Sequence, residues 1–200
     1  MAPQLYLITP ANPDTASFGK TLMAVLNAAP VSALLVQRGT ADEQAYAKLA
    51  REIINIGQGA GCAVLLENDA ALAKRLGADG IHGSEGVDAV ADAIMTLKPS
   101  FIVGAATPST RDDAMSLGEL NVDYVFFGPL DGASDRDATE LAEWWAATFE
   151  VPAVLSDPSA TPETVDAKGA EFLALSTSIW SATDPAAAIR AIAAALQDPA

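Results

Sequence analysis

The sequence is short of cysteine, histidine, positive charge and long apolar runs. Cys62 is its single cysteine, so no internal disulfide can form, and a lone thiol fits the reducing cytoplasm, the expected setting. Lys and Arg together number 11 against 26 Asp and Glu, a formal charge of −15. So acidic a surface repels nucleic acid and anionic lipid, and neither is expected as a partner. The longest apolar runs, "SALLV" (32–36) and "AVLL" (63–66), fall far short of the roughly 20 residues a membrane span needs. The opening "MAPQLYLITP" has no basic stretch leading into an apolar segment, so no secretory signal is expected.

What is present is an even spread of apolar residues, 50 % of a chain of 200, enough for one well-buried domain and short for two. Short apolar runs alternate with amphipathic stretches. The expected strands are 4–9, 32–37, 62–67, 79–82, 101–105, 123–128, 152–156 and 171–176. Between and after them the pattern predicts helices over about 17–29, from 41 or 42 to 57, 70–76, 87–97, 110–120, 138–149, from Pro162 behind a Thr161 cap, and 184–197. Gly77 stands where a left-handed residue closes the third helix. Each strand is nearly all apolar, as in a parallel sheet covered on both faces. Eight such units predict an α/β fold, a single (β/α)8 TIM barrel over residues 1–200.

In that fold the site is built from loops at the carboxyl ends of the strands. The rule selects Thr9, Gln37, Arg38, Asn68, Asp69, His82, Ser84, Glu85, Thr107, residues 131–136, Ser156 to Ser159, and Ser176 to Ser178. An anionic ligand there must overcome the global charge, through local cations or backbone N–H groups.

The segments "LYLITP", "ENDAALAKRLGADGIHGSEG", "IVGAATPSTRDDAMSLGELNVDYVFFGPL" and "GAEFLALSTSIWSATDPAAAIRAI", in this order, resemble the thiamine phosphate synthase and TenI family over nearly the whole chain. The resemblance implies a small-molecule reaction joining a pyrimidine methyl diphosphate to a thiazole phosphate. It also implies a Mg²⁺ ion and basic residues on the departing diphosphate. Carried over by position, Arg38 and Arg136 are the expected catalytic cations. Gln37, Asn68, His82, Thr107, Thr177 and Ser178 are the expected substrate contacts, and Asp69 with Glu85, or Asp88 in its place, the expected metal ligands.

Several positions depart from the family's pattern. After strand 2 the family's Gln-x-Arg-x-Lys falls on Leu35, Gln37 and Gly39, with Arg38 displaced by one. After strand 3, Glu67, Asn68 and Asp69 stand where the family has Asn-Asp-Arg. After strand 5 the usual serine is Ala106. After strand 6, Arg136 falls where a lysine is usual. After strand 7 a glycine pair that cradles phosphate is replaced by Ser156, Asp157, Pro158 and Ser159, which removes a donor and adds a like charge.

Each candidate has a plainer reading. Asn68 and Asp69 can cap the next helix. His82 can pack near the barrel rim, Arg136 can pair with Asp131 or Asp135, and the hydroxyls of 176–178 can satisfy a turn. Of the adjacent Trp144 and Trp145, one is expected in the core and the other under a partner subunit in a homodimer. The sequence therefore leaves two functions open. One is a synthase of weakened or altered activity; the other is a non-catalytic or repurposed member binding a small ligand at the same mouth.

Overall fold

The computed structural model describes residues 2–106 and 108–197. Its eight strands are β1 (Gln4–Ile8), β2 (Ala33–Val36), β3 (Ala63–Glu67), β4 (Gly80–Gly83), β5 (Ile102–Ala106), β6 (Tyr124–Phe127), β7 (Ala153–Ser156) and β8 (Phe172–Leu175). Each pairs in parallel with the next and β8 pairs back onto β1, closing the expected barrel. The register brings Glu67 opposite His82, His82 opposite Gly104, and Gly104 opposite Tyr124.

Strand alternation divides the core in two. Leu5, Leu7, Val64, Leu66, Val125 and Phe127 point outward to the helices. Tyr6, Leu35, Leu65, Tyr124, Phe126 and Val154 fill the barrel. Both faces are dry, which is why the strands read as unbroken apolar runs. Inside, Tyr124 fits because residue 104 has no side chain: a Cβ there would lie 1.9 Å from the Tyr124 ring.

The outer ring holds α1 (Phe18–Ala28), α2 (Glu43–Gly59), α3 (Ala70–Leu76), α4 (Val87–Leu97), α5 (Arg111–Gly118), α6 (Arg136–Thr148), a single turn α7 (Thr177–Trp180) and α8 (Pro185–Gln197). Several of them start behind a polar side-chain cap. Asp42 accepts from Ala45 N–H, Asp69 from Leu72 N–H, and Thr110 with Asp113 forms a capping box on α5. Gly77 ends α3 in the left-handed conformation, φ 73°.

One expected helix is missing. After β7, Thr161 starts a single turn in which its carbonyl accepts from Val165 N–H, 2.9 Å, and the turn goes no further. Thr161, Thr164 and Val165 are β-branched, Asp166 takes Lys168 N–H into a local turn, and Lys168 itself is left-handed, φ 52°. A first turn is the costly step of a helix, and here the chain turns away at Asp166 to Lys168 before further turns can offset it.

Trp145 is the buried member of the tryptophan pair, with Nε1–H donating to the Val151 carbonyl at 2.8 Å. Trp144, the side chain expected to need a partner subunit, lies under the Arg111 guanidinium, 4.6 Å from the ring centroid. No helix among the described residues is long and apolar enough to cross a membrane.

Candidate functional site at the barrel mouth

The carboxyl ends of β2, β3 and β4 surround a depression of about 300 Å³ lined by Gln37, Arg38, Gly39, Glu67, Asn68 and Glu85. A brace from α2 shapes it. The Tyr46 hydroxyl donates to the Val36 carbonyl, 2.7 Å, and accepts from Glu67 N–H, 3.0 Å, fixing the ends of two strands. Burial pushes that hydroxyl's pKa up, so it keeps its proton. Glu67 in turn accepts from Arg38 N–H at 2.9 Å, and the Arg38 guanidinium lies 5.3 Å from the Tyr46 ring centroid. One cation thus sits at the rim of a depression that also presents two carboxylates.

Loop conformation follows from sequence at two positions. Asn68 is left-handed, φ 56°, and its amide clamps Ser84 twice: Oδ1 accepts from Ser84 N–H at 2.7 Å and Nδ2 donates to Ser84 Oγ at 2.8 Å. Gly39 has φ 58°, and a Cβ on it would lie 1.9 Å from the Ala11 carbonyl oxygen. No side chain fits at 39, so a cation in this loop has to come from Arg38.

Gln37 spans the mouth. Its N–H donates to Thr9 Oγ1 at 3.0 Å, its Nε2 reaches Asp131 Oδ2 at 3.4 Å, and its Oε1 is buried without a partner. His82 lies below the rim, fully buried, with Nδ1 3.0 Å from the Tyr124 hydroxyl, which is 3.0 Å from that of Tyr6. Burial pushes the imidazole down to about 3, so it is neutral at physiological pH, and its Nε2 has no partner.

The far side of the mouth is tied to itself. Thr177 Oγ1 accepts from Gly132 N–H at 2.8 Å, Ser178 N–H donates to the Pro158 carbonyl at 2.8 Å, and Ser134 Oγ donates to the Asp157 carboxylate. Trp180 holds α7 in place, its Nε1–H on the Ile8 carbonyl at 2.6 Å.

Of the residues singled out from sequence, Gln37, Arg38, Asn68 and Glu85 are brought together around one depression. Asp69 stands beside it with Oδ1 committed to the cap of α3. Arg136 lies elsewhere: its side chain is 88 % exposed, with Nε 2.9 Å from Glu140 Oε1. Thr177 and Ser178 lie in α7 at the opposite side, and Thr107 is outside the described residues. Glu67, aligned with the family's site segment but not chosen as a candidate ligand, is a lining residue; an acid ending the apolar run "AVLLE" was the available signal. Sequence reasoning missed the Tyr6–Tyr124–His82 chain, which has no local signature.

For a metal, the described residues contain no cluster of three or more His, Cys, Asp or Glu side chains. What the depression offers is the Glu67 and Glu85 carboxylates, hard oxygen donors, the Asn68 amide oxygen being taken by Ser84 N–H. That set suits Mg²⁺ carried by a phosphate-bearing ligand, since Mg²⁺ is commonly held through one or two carboxylates plus phosphate oxygens.

The profile of a family described as thiamine monophosphate synthase matches residues 5–179. The thiamine-phosphate synthase of Hyphomonas neptunium is 36 % identical over 94 % of this chain and 91 % of its own length. That of Erythrobacter litoralis is 33 % identical over 95 % and 93 %. Among solved structures, a thiamine phosphate pyrophosphorylase from Pyrococcus furiosus superposes with a TM-score of 0.81 at 16 % identity, over 98 % of this chain and 96 % of that one. A 3-hexulose-6-phosphate synthase superposes at 0.70 with 20 % identity, over 98 % and 99 %. These structural likenesses speak to the barrel.

Proposed function

The chain belongs to the thiamine monophosphate synthase family, and on that premise we propose that it is a cytoplasmic transferase of the family's type. It moves a pyrimidinylmethyl group from its diphosphate to the ring nitrogen of a thiazole phosphate: the carbon–oxygen bond to diphosphate breaks, a carbon–nitrogen bond forms, and diphosphate leaves. The observation that carries this reading is Arg38 at the rim of a mouth depression with Glu67, Asn68 and Glu85.

In that reading Arg38 meets the charge that grows on the departing diphosphate, where a preformed cation costs no reorganisation. Its backbone is fixed by Glu67 and its guanidinium lies over Tyr46. Glu67 and Glu85 would hold Mg²⁺, which supplies charge neutralisation on the diphosphate when bound. Asn68 keeps the loops after β3 and β4 in register so that those carboxylates share one rim. Gln37 offers a buried, unpartnered amide oxygen to a donor on the ligand. Arg136, held outward by Glu140, takes no part.

The test is steady-state transfer by the purified chain with the pyrimidine diphosphate, a thiazole acceptor and Mg²⁺, following diphosphate release. Arg38→Ala should lower kcat/KM by roughly 10²–10³, the cost of one preorganised charge-stabilising group. Absence of diphosphate release in the wild type with the thiazole phosphate acceptor refutes the proposal.

A further inference from the structure

The pleat of β2 sends alternate side chains to opposite faces. Leu34 and Val36 lie against the helices, and Leu35 lies inside the barrel. Carried past the end of the strand, the same alternation keeps Gln37 over the mouth, where it reaches Asp131, and starts Arg38 outward toward α2. Arg38 lines the mouth depression all the same. A side chain that sets out on the helix face has to be brought back to the rim.

Tyr46, in the first turn of α2, stands where this happens. Its side chain is fully buried, and the Arg38 guanidinium lies 5.3 Å from its ring centroid. The hydroxyl pins the ring at two points, donating to the Val36 carbonyl at 2.7 Å and accepting from Glu67 N–H at 3.0 Å. Glu67 then returns to Arg38, but its carboxylate takes the backbone N–H, 2.9 Å. The ion pairs found among the described residues are Arg75–Glu43, Lys98–Asp123, Arg136–Glu140 and Lys168–Asp166, and none involves Arg38. The guanidinium is held by an aromatic face, which leaves its charge for a ligand.

We propose that Tyr46 is a positioning residue for the transfer: its ring is the platform that holds Arg38 at the β2–β4 rim, so that a helix residue outside the depression sets where the charge of the diphosphate is met. This rests on the transferase reading above. Tyr46 does not line the depression and acts through Arg38. A free arginine side chain spreads over many rotamers, and ordering it on the ligand costs affinity. A guanidinium already stacked on a ring has less freedom left to lose.

The experiment is calorimetric titration of the full chain with inorganic diphosphate and Mg²⁺, on the wild type, Tyr46→Phe, Tyr46→Leu, Arg38→Ala and the Tyr46→Leu, Arg38→Ala double variant, with thermal unfolding of each. Tyr46→Phe keeps the ring and loses both hydroxyl bonds, so it should melt lower yet bind diphosphate within about threefold of the wild type. Tyr46→Leu removes the ring and should weaken binding by about fivefold or more. In the Arg38→Ala background the same change should cost less than about twofold, because the side chain it acts through is gone. In the wild type, the Arg38 Nε–H resonance, displaced by the ring current of Tyr46, should move when Mg²⁺ and diphosphate bind, a readout that depends on no variant folding. Tyr46→Leu binding like the wild type, an equal loss in both Arg38 backgrounds, a loss in Tyr46→Phe as large as in Tyr46→Leu, or an Arg38 resonance that diphosphate leaves unmoved each overturns the proposal. Transfer to the thiazole phosphate is measured alongside: wild-type transfer together with any of those results sinks Tyr46 alone, whereas no transfer by the wild type sinks the reading it rests on.

Discussion

Acidification should destabilise this barrel through one side chain, His82. Its imidazole is fully buried, hydrogen-bonded through Nδ1 to Tyr124, and pushed by burial from 6.5 down to about 3. In the unfolded chain it titrates near its ordinary value, so at pH 5 the unfolded state binds a proton that the folded state refuses. The folded value is depressed, so the contribution is complete above about pH 6.5 and is lost as pH falls from there toward 3. At pH 5, about 1.5 units below the unfolded value, the loss is about 2 kcal/mol at roughly 1.4 kcal/mol per unit. With a urea slope of about 2 kcal/mol/M, the unfolding midpoint should fall by about 1 M between pH 7 and pH 5. The background from 26 carboxylates is removed by running His82→Leu in parallel and subtracting its own pH dependence. His82→Leu is expected to be less stable than the wild type at pH 7 because Tyr124 loses a partner, and to lose less on acidification. Equal pH dependence in the two proteins would refute the reasoning.

Tyr124→Phe should cost about 1–3 kcal/mol for each group left without its partner, here Tyr6 Oη and His82 Nδ1, read as a drop in the urea midpoint at pH 7. Gly39→Lys, which restores a lysine at the family's position, should lower the melting temperature and leave transfer no faster, because the left-handed backbone and the Ala11 carbonyl exclude its Cβ. Thr110→Ala should cost about 1 kcal/mol through loss of the α5 capping box, measured by thermal unfolding.

The barrel was legible because both faces of every strand are dry. "YVFF" and "FLAL" are each wholly apolar, and β–α alternation repeated eight times has few other solutions. The last crossover was misread for a local reason: Pro162 behind Thr161 is a sound helix start, but the Asp166–Lys168 turn, with Lys168 left-handed, ends it after one turn. At the site, loop positions were legible and side-chain directions were not. Arg38 and Arg136 look alike in sequence, yet Gly39 holds one loop against Ala11 while Glu140, one helical turn on, draws the other guanidinium outward. Asp69 carried two readings, and the structure shows its cap. The Tyr6–Tyr124–His82 chain joins residues 118 and 42 positions apart, a pairing that only the closed barrel creates.

If anionic charge is met on the β2–β4 side of the mouth, at Arg38, then Arg136 contributes nothing to diphosphate binding. Calorimetric titration with inorganic diphosphate and Mg²⁺ at fixed ionic strength tests it on the wild type, Arg38→Ala and Arg136→Ala. Arg38→Ala should weaken binding by about tenfold to a hundredfold, as expected for a charged hydrogen-bond donor, while Arg136→Ala should stay within about twofold of the wild type. An equal or larger loss in Arg136→Ala would contradict it.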